Sequence, residues 1–367
     1  MKNRICHITT VHDPHDDRIF YKECISLAAA GYDVFLVAPE KEDFQSNEIT
    51  FVPVRKSKGR LGRLFSMSFR AYRLALRTKA TICQFHDPEL MWIGILLRLS
   101  GRKVVYDVHE DLPRQILYKE WIRISVIRHL LSWIIRLLEM FSCLFFCRVV
   151  VVTDDIARKY TERKVILLRN FPVLVMMKDV KPVSIAKNTS VAVYAGGLAK
   201  VRGIQELVAA AGLLGGKVHI WLIGTFESED YFAICRQEPG WKHVTYFGQK
   251  KLEEVYPYIC AADIGIATLY PIKNYLTSLP VKAFEYMALG KPVVMSDFEY
   301  WRDIFSQCAI FVDPMDAKKV AEALNALNTQ PELMSQLGNE GVVQTEKMYS
   351  WEAEVVKLVE MYKSLIK

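Results

Sequence analysis

The segment 277–294 carries residue types with which proteins bind phosphate and ribose. Pro280 suits the first position of a helix and Gly290 suits the position just past its end, so a short helix is predicted between them. Lys282 and Glu285 are three residues apart and share one face of that helix. Amides at the helix start favour an anion, and a carboxylate one turn later suits two vicinal hydroxyls, as on a ribose. The alternative is a surface salt bridge between these two side chains, worth only about 0.3–0.5 kcal/mol.

A second candidate anion site lies in the segment 195–203, between a predicted strand at 190–194 and a predicted helix at 204–214. It contains paired glycines and two cations, Lys200 and Arg202. Glycines let the backbone approach a diphosphate, the helix start favours negative charge, and a guanidinium can bind two oxygens at once. The alternative is a tight turn that carries a solvent-exposed arginine.

The first strand is followed by a loop, residues 11–18, that has no glycine and three carboxylates. A dinucleotide-binding loop would need glycines there, so a nicotinamide cofactor is not favoured. Side chains of this kind hydrogen-bond hydroxyls, and we predict that His12, Asp16 and Arg18 bind a sugar or polyol acceptor. The alternative is that an aspartate caps the following helix and Arg18 forms a solvated ion pair.

Short β-branched runs alternate with helical patterns along the whole chain, which is typical of parallel sheets covered by helices on both faces. The fold class predicted is α/β, with two Rossmann-like domains that face a central cleft. The predicted segments are an N-terminal acceptor-binding domain (1–172), a linker (173–189), a C-terminal donor-binding domain (190–349) and a C-terminal helix (350–367) that packs back on the first domain.

The chain has 367 residues and a net charge of +7, which suits an anionic partner without identifying it. The sequence contains neither a zinc-finger spacing nor an aromatic RNA-binding pattern, so no nucleic-acid partner is predicted. It also shows no run of Asp, Glu or His with metal-coordinating spacing, so neither a metal nor another cofactor is expected. The first residues lack the apolar stretch of a secretion signal.

These pieces together resemble a retaining glycosyltransferase of the GT-B fold, in the large family four. The matching pieces are 12–23, 106–111, 196–203, 247–248 and 278–294. In that family the last carboxylate of an E-x7-E pattern binds the nucleotide ribose, and the corresponding residue is Glu285. The first carboxylate falls at Thr277, which leaves the donor-sugar contacts to backbone amides around Ser278 and Leu279.

The resemblance assigns further residues to the donor site. The family's Arg and Lys on the diphosphate loop fall at Gly197 and Arg202, and Lys200 is the candidate replacement for the missing cation. Main-chain contacts to the base fall at Gly248 and Gln249, and a histidine that contacts the donor sugar falls at His109.

The resemblance also implies a mechanism and a setting. The acceptor hydroxyl would attack from the face that the nucleotide leaves, without a protein nucleophile or a metal. The implied partners are a UDP- or GDP-sugar and a lipid-linked or glycan acceptor, in bacterial surface-polysaccharide assembly. Two alternatives remain open: a sugar-nucleotide epimerase of the same architecture, and a non-catalytic sugar-nucleotide-binding protein.

A basic and apolar segment between Arg55 and Lys79 predicts contact with an anionic membrane surface. It carries nine Lys or Arg residues and no acidic residue, and its apolar side chains form one helical stripe. A second stretch, 122–146, is apolar except for a narrow stripe that includes Arg128 and Glu139. The expected location is cytoplasmic, at the inner face of the cell membrane. The alternative is that both helices simply cover the sheet.

Overall fold

The computed structural model describes residues 3–41, 46, 48–117, 122 and 124–366, which form two compact domains. The first domain contains the described residues up to Asn170 together with those from Ala353 onward, and the second contains Phe171–Glu352. Each domain is an α/β unit with its own hydrophobic core packed on one sheet, and the second domain has a core cluster on each face of its sheet.

The first domain is built on a seven-stranded, fully parallel sheet of order β3-β2-β1-β4-β5-β6-β7. Its strands are β1 Arg4–Ile8, β2 Asp33–Pro39, β3 Ile49–Val54, β4 Ile82–Phe85, β5 Lys103–Val108, β6 Arg148–Val151 and β7 Val165–Leu167. Its helices before the domain boundary are α1 Ile25–Ala29, α2 Gly59–Leu61, α3 Ser68–Arg77, α4 Met91–Leu99, α5 Leu112–Leu117, α6 Ser125–Phe145 and α7 Asp154–Ala157. π-helical segments at Asp17–Cys24 and Gly62–Met67 lead into α1 and α3.

The second domain has a six-stranded parallel sheet of order β10-β9-β8-β11-β12-β13. Its strands are β8 Ser190–Ala195, β9 Val218–Ile223, β10 Val244–Tyr246, β11 Ile264–Ala267, β12 Val293–Ser296 and β13 Ala309–Val312. Its helices are α8 Leu174–Met177, α9 Ile204–Leu214, α10 Glu229–Gln237, α11 Leu252–Ala261, α12 Lys273–Leu276, α13 Val281–Ala288, α14 Glu299–Phe305, α15 Ala317–Thr329 and α16 Pro331–Met348.

The strand order reverses between β1 and β4 in the first sheet and between β8 and β11 in the second. Open α/β sheets bind ligands at such switch points, beyond the carboxyl ends of the strands. The loop 11–18 follows β1, and the glycine loop at 195–203 follows β8. These two loops, which the sequence analysis singled out, therefore each lie at a switch point.

The last helix, α17 Trp351–Ile366, packs on the first domain from Ala353 onward. The hydroxyl of Tyr362 lies 2.7 Å from Gln84 Oε1 and 3.3 Å from His7 Nε2, and all three side chains are buried. A buried aromatic anchor with two polar contacts holds this helix against the sheet, as the sequence predicted.

The segment 173–189 belongs to the second domain rather than standing between the two domains. Met177 at the end of α8 is buried in the core of the second domain, and the Val183 amide donates to the Pro257 carbonyl oxygen. Lys187 forms an ion pair with Asp263. The buried Met177 and these polar contacts attach the segment to the second domain.

Candidate functional site

The predicted short helix is present as α13, with Pro280 as its N-cap residue rather than its first helical residue. Lys282 and Glu285 lie on this helix, and the glycine loop after β8 lies beside Lys282. Gly196 has a φ of +133°, and a Cβ atom there would lie 2.9 Å from Lys282 Nζ and 3.4 Å from Arg202 Nη1. The positive φ favours glycine at this position, which lies next to both cations.

Lys282 is the most unusual side chain of the second domain. Its Nζ is buried, has no hydrogen-bond partner among the residues that the structure describes, and lies 3.6 Å from the centroid of the Tyr194 ring. Burial, and next the positive charge of Arg202, hold the pKa of Lys282 well below its usual value, although Glu285 acts in the opposite direction. The solvated salt bridge considered from the sequence is not what the structure has.

Arg202 ends a short 3-10 turn, Lys200–Arg202, that leads into α9. Its Nη1 lies 3.5 Å from the Tyr194 hydroxyl, so Tyr194 contacts both cations. Lys200 is exposed, and its amide is held by Glu227 at 2.8 Å. The second cation beside Arg202 is thus Lys282, and not Lys200, the replacement suggested by the sequence.

The residues before α13 offer less than the sequence suggested. The Ser278 amide donates to the Tyr275 carbonyl oxygen at 3.2 Å, and the Ser278 carbonyl accepts from Trp301 Nε1 at 2.7 Å. The Leu279 amide makes no hydrogen bond within the described part of the chain. Of the two amides predicted to contact the donor sugar, Leu279 therefore remains the candidate.

Two further predicted residues follow β10. The Gly248 carbonyl oxygen accepts from the Gly224 amide at 2.8 Å, and Gln249 Oε1 accepts from the Thr225 hydroxyl at 3.3 Å. The Gly197 carbonyl accepts from the Tyr194 hydroxyl at 3.1 Å. These residues line the carboxyl end of the second sheet, where the backbone is ordered by neighbouring loops.

In the first domain, His12 lies between two carboxylates. Its Nδ1 is 3.1 Å from Asp16 Oδ2 and its Nε2 is 3.4 Å from Asp87 Oδ1. Burial opposes the charged ring, but the two carboxylates raise the pKa of His12 overall. Asp16 also caps the following helix, because its Oδ1 accepts from the amides of Arg18 and Ile19. The functional and the capping interpretations of Asp16 are therefore compatible.

Arg18 requires a correction. It is 3% exposed, and its guanidinium donates to both carboxylate oxygens of Asp107 at 3.1 Å and to the Leu168 carbonyl oxygen. Glu23 lies 3.1 Å from the same guanidinium. Arg18 therefore neither forms a solvated ion pair nor faces an acceptor. Its side chain is buried beneath the loop, where it pairs with buried carboxylates.

His109 lies just past β5 and is 18% exposed. Its Nε2 is 2.9 Å from Asp107 Oδ2, and its ring centroid is 5.0 Å from that of His12. Burial alone would raise the pKa of Asp107, but Arg18 and His109 hold it well below its usual value. His109 is thus attached to an ionised carboxylate.

The sequence did not predict the group of buried polar side chains around Asp107. His86 Nδ1 lies 3.0 Å from Asp107 Oδ2 and 3.2 Å from His109 Nε2, and His7 Nδ1 lies 3.0 Å from His86 Nε2. His7 lies within β1, His86 follows β4 and Asp107 lies in β5. Their common position near the ends of adjacent parallel strands was the signal that could have found them.

Histidines and carboxylates this close together have the composition of a metal site, although the sequence showed no coordinating pattern. The Asp107 oxygen shared by His86 and His109 also accepts from Arg18 Nε at 3.1 Å. A guanidinium at that distance already neutralises the carboxylate and would repel a cation. The group fits a hydrogen-bonded network better than a metal centre.

Each of the two domains matches a known protein family. The family described as "Glycosyltransferase Family 4" matches residues 17–166, and "Glycosyl transferases group 1" matches residues 189–330. No individual curated protein matches the chain.

Several solved structures resemble the whole chain. Sucrose-phosphate synthase from Thermosynechococcus elongatus is 18% identical with a TM-score of 0.78, over 100% of this chain and 99% of that one. HepE from Anabaena, in complex with UDP and glucose, is 14% identical with a TM-score of 0.76, over 99% and 100%. WaaG, a glycosyltransferase of lipopolysaccharide biosynthesis, is 14% identical with a TM-score of 0.67, over 96% and 99%. At these identities the likeness establishes the two-domain GT-B fold.

Proposed function

Because the chain belongs to glycosyltransferase family four, we propose that it moves a sugar from a nucleotide diphosphate sugar to a hydroxyl acceptor. The observation that carries the donor site is the buried Nζ of Lys282 beside Arg202, for which the described residues supply no hydrogen-bond partner. Two cations that repel each other at one loop are stabilised by an anion with several oxygens, and a diphosphate supplies it. Gly196 leaves the space that such a group needs.

The rest of the nucleotide follows from α13 and the neighbouring loops. Glu285 lies one turn after Lys282 and accepts the two ribose hydroxyls in this proposal. Gly248 and Gln249, beyond β10, contact the base. Uracil is the favoured base, since HepE, which shares the fold, binds UDP.

We propose retention of anomeric configuration as the stereochemical course. The bond between the anomeric carbon and the diphosphate oxygen breaks, and the acceptor oxygen forms its new bond on the same face. The hydroxyl proton passes to the departing phosphate oxygen. Arg202 and Lys282 neutralise the leaving diphosphate, and His109 contacts the donor sugar. No metal or organic cofactor takes part in this scheme.

A thermal-shift comparison of UDP, GDP, uridine and inorganic pyrophosphate tests the donor site. A ligand present at 100 times its Kd stabilises the folded state by about 2.7 kcal/mol. We expect UDP to raise Tm, uridine to have little effect, and Arg202→Ala to abolish the shift. If no diphosphate compound raised Tm, the donor site proposed here would be wrong.

The acceptor is proposed to be lipid-linked, because α6 exposes its apolar side to solvent. Within α6 the large exposed side chains are Val126, Ile127, Leu130, Leu131, Trp133, Ile134, Leu137, Leu138, Met140, Phe141 and Leu144. Two of its polar residues face the protein, since Ser132 donates to the Pro113 carbonyl oxygen and Glu139 accepts from the Tyr106 hydroxyl, whereas His129 and Arg136 are exposed. An exposed apolar face of this size requires a cover, and we propose the membrane surface.

The Arg-rich segment supports the same orientation. Leu61, Phe65 and Phe69 are exposed, whereas the face of α3 against the sheet consists of Ser68, Ala71 and Ala75. α4 packs against both α3 and α6, so the two apolar surfaces belong to one side of the first domain. The cations of this segment would contact anionic headgroups, each contributing about 1 kcal/mol.

A cavity of about 450 Å³ opens beside this surface. His12 and Thr10 line one wall, and Arg63 and Met67, which follow the exposed Leu61, line another. This position suits a polar acceptor group whose lipid remains in the membrane. Within the described part of the chain, no helix is long and apolar enough to cross a bilayer.

Co-sedimentation with liposomes tests the membrane proposal. We expect binding to phosphatidylglycerol vesicles at low salt, weaker binding at high salt, and loss of binding in the double variant Leu130→Glu, Leu137→Glu. Leu213→Glu, at an exposed position of the second domain, is the matched control. A chain that dimerises through α6 and ignores both anionic and neutral vesicles would contradict the proposal.

A further inference from the structure

A continuous chain of hydrogen bonds crosses the interior of the first domain and ends at His109. We call its six buried members the histidine chain, which are in order Glu23, Gln84, Tyr362, His7, His86 and Asp107. Successive polar atoms lie 2.5, 2.7, 3.3, 3.0 and 3.0 Å apart, and Asp107 lies 2.9 Å from His109. Its members come from strands, loops, a π-helical segment and α17.

The proton positions near Asp107 follow from its charge. Asp107 accepts two hydrogen bonds from Arg18 and is ionised, so each ring nitrogen that faces it must carry a proton. These nitrogens are Nδ1 of His86 and Nε2 of His109. A neutral imidazole has one donor and one acceptor. His86 Nε2 is therefore an acceptor, and Nδ1 of His109 is an acceptor as well.

The same rule fixes the donor and the acceptor of each hydrogen bond from His86 to Tyr362, which lies on α17. His7 Nδ1 must donate to His86 Nε2, because burial lowers the pKa of both rings and keeps them neutral. His7 Nε2 is then an acceptor, and the group that faces it is the Tyr362 hydroxyl. Tyr362 has one proton, which this bond uses. Its oxygen is consequently free to accept from Gln84.

The far end of the chain requires a proton on Glu23. In the structure the Gln84 amide nitrogen faces Glu23 and the oxygen faces Tyr362; flipping this amide exchanges the two without moving a neighbour. Gln84 then donates to Tyr362, and its oxygen faces Glu23 Oε2, which must carry a proton to donate to it. Burial, and next the charge of Asp107, raise the pKa of Glu23, in agreement with a protonated carboxyl.

Charge balance within the chain agrees with this assignment. With Glu23 protonated, the histidine chain and its ion-pair partner Arg18 together hold one guanidinium and one carboxylate, Asp107. With Glu23 ionised, the cluster would hold one uncompensated negative charge away from water, which costs several kcal/mol. The other titratable groups that face the chain are Cys24, Cys83, His12 and His109.

We propose that the histidine chain fixes His109 as its Nε2–H tautomer, and that Tyr362 is the positioning residue that completes the chain. His109 then presents Nδ1 as an acceptor for a hydroxyl of the substrate, and the chain includes no step that consumes or releases a proton. The role of His109 toward a sugar rests on the proposed function, whereas its tautomer is a property of the protein alone.

Long-range proton–nitrogen NMR correlations of the histidine rings test the tautomers without any substrate. We expect His7 and His86 to be neutral with the proton on Nδ1, and His109 to carry its proton on Nε2. A proton on Nε2 of His86, or a doubly protonated His86, would overturn the proposal even if sugar transfer were confirmed. Conversely, failure to transfer sugar would leave the tautomer result intact.

Tyr362→Phe removes the donor to His7 and leaves the ring in place. We expect the NMR signals of His7 and His86 to change and kcat to fall by at most about tenfold. The acidic limb of the pH–rate profile should shift, whereas the Kd for UDP should stay unchanged. Tyr32→Phe is the matched control, since Tyr32 packs on the Tyr362 ring without joining the chain. Equal spectra and profiles for the two variants would overturn the role of Tyr362.

Glu23→Gln is a second test variant, chosen because it should fold like the parent. Its amide is neutral and keeps a donor for Gln84, as a protonated glutamate does. We expect unchanged histidine tautomers and a Tm within about 2 °C of the parent. A large fall in Tm or a reversal of the tautomers would show that Glu23 is ionised and would contradict the proposed direction of the chain.

Discussion

Replacing Lys282 by methionine separates donor binding from stability, because the two should change in opposite directions. In the free protein the Nζ is buried close to Arg202, and no residue in the described ranges forms a hydrogen bond with it. An unsatisfied buried group costs about 1–3 kcal/mol, more when charged. The contact with the Tyr194 ring returns about 1–2 kcal/mol of this cost. Methionine keeps the ring contact partly and removes the charge.

We expect the free Lys282→Met variant to be more stable by about 1 kcal/mol, which raises Tm by about 2–4 °C for a domain of this size. Donor binding should weaken instead, since a charge-assisted hydrogen bond to diphosphate is lost. That bond contributes about 1.5–3 kcal/mol, which corresponds to a Kd for UDP higher by about 10- to 150-fold. Differential scanning fluorimetry and calorimetric titration measure the two effects.

Lys291→Met is the matched control, because Lys291 Nζ donates to the Cys260 carbonyl oxygen in the same domain. This variant should lose stability and bind UDP like the parent. The reasoning would be refuted if Lys282→Met lowered Tm as Lys291→Met does and bound UDP with unchanged affinity. Lys282 would then be a structural residue, and the anion site would lie elsewhere.

Four further predictions concern the same sites. Arg202→Ala and Glu285→Ala should each lose transfer activity and about 1.5–3 kcal/mol of donor affinity, and unchanged UDP titrations would argue against both roles. His109→Ala should lower kcat far more than it weakens UDP binding, which steady-state kinetics beside a UDP titration resolves. Transfer should persist in excess EDTA; loss with rescue by Mg²⁺ would contradict the charge scheme. Because the pKa of Lys282 is lowered in the free protein and an anion raises it, UDP binding should take up protons at pH values between the lowered and the raised pKa, which buffers of different ionisation enthalpy reveal.

The elements that carry the proposed donor site were predictable because their signals are local. Pro280 and Gly290 delimit α13 in the sequence, and paired glycines between a strand and a helix mark the loop after β8. What the sequence could not give was the distance between these two pieces. The packing of Lys282 on Tyr194, which makes Lys282 rather than Lys200 the partner of Arg202, depends on β8 and β11 being neighbours.

The histidine chain was not predictable in the same way. Its residues lie up to 355 positions apart, and their meeting depends on the strand order β1-β4-β5 and on the return of α17. Arg18 illustrates the difficulty: in sequence it follows three carboxylates of its own loop, yet in the fold it pairs with Asp107, which belongs to another strand. From the local sequence alone, a charged residue is predicted to lie in solvent, because its distant buried partner is not known.

The two switch points carry opposite electrostatics on the same topology. Beyond β1, β4 and β5 the buried guanidinium of Arg18 is paired with the carboxylate of Asp107, and the proposed protonation of Glu23 leaves no further charge in the histidine chain. Beyond β8, a pair of cations contacts one tyrosine, and the described part of the chain offers the buried Nζ of Lys282 no hydrogen-bond partner. A satisfied network holds one ring in a fixed orientation, whereas an unsatisfied one binds whatever anion completes it. This difference is the physical reason to assign orientation of the reacting sugar to the first domain and the diphosphate to the second.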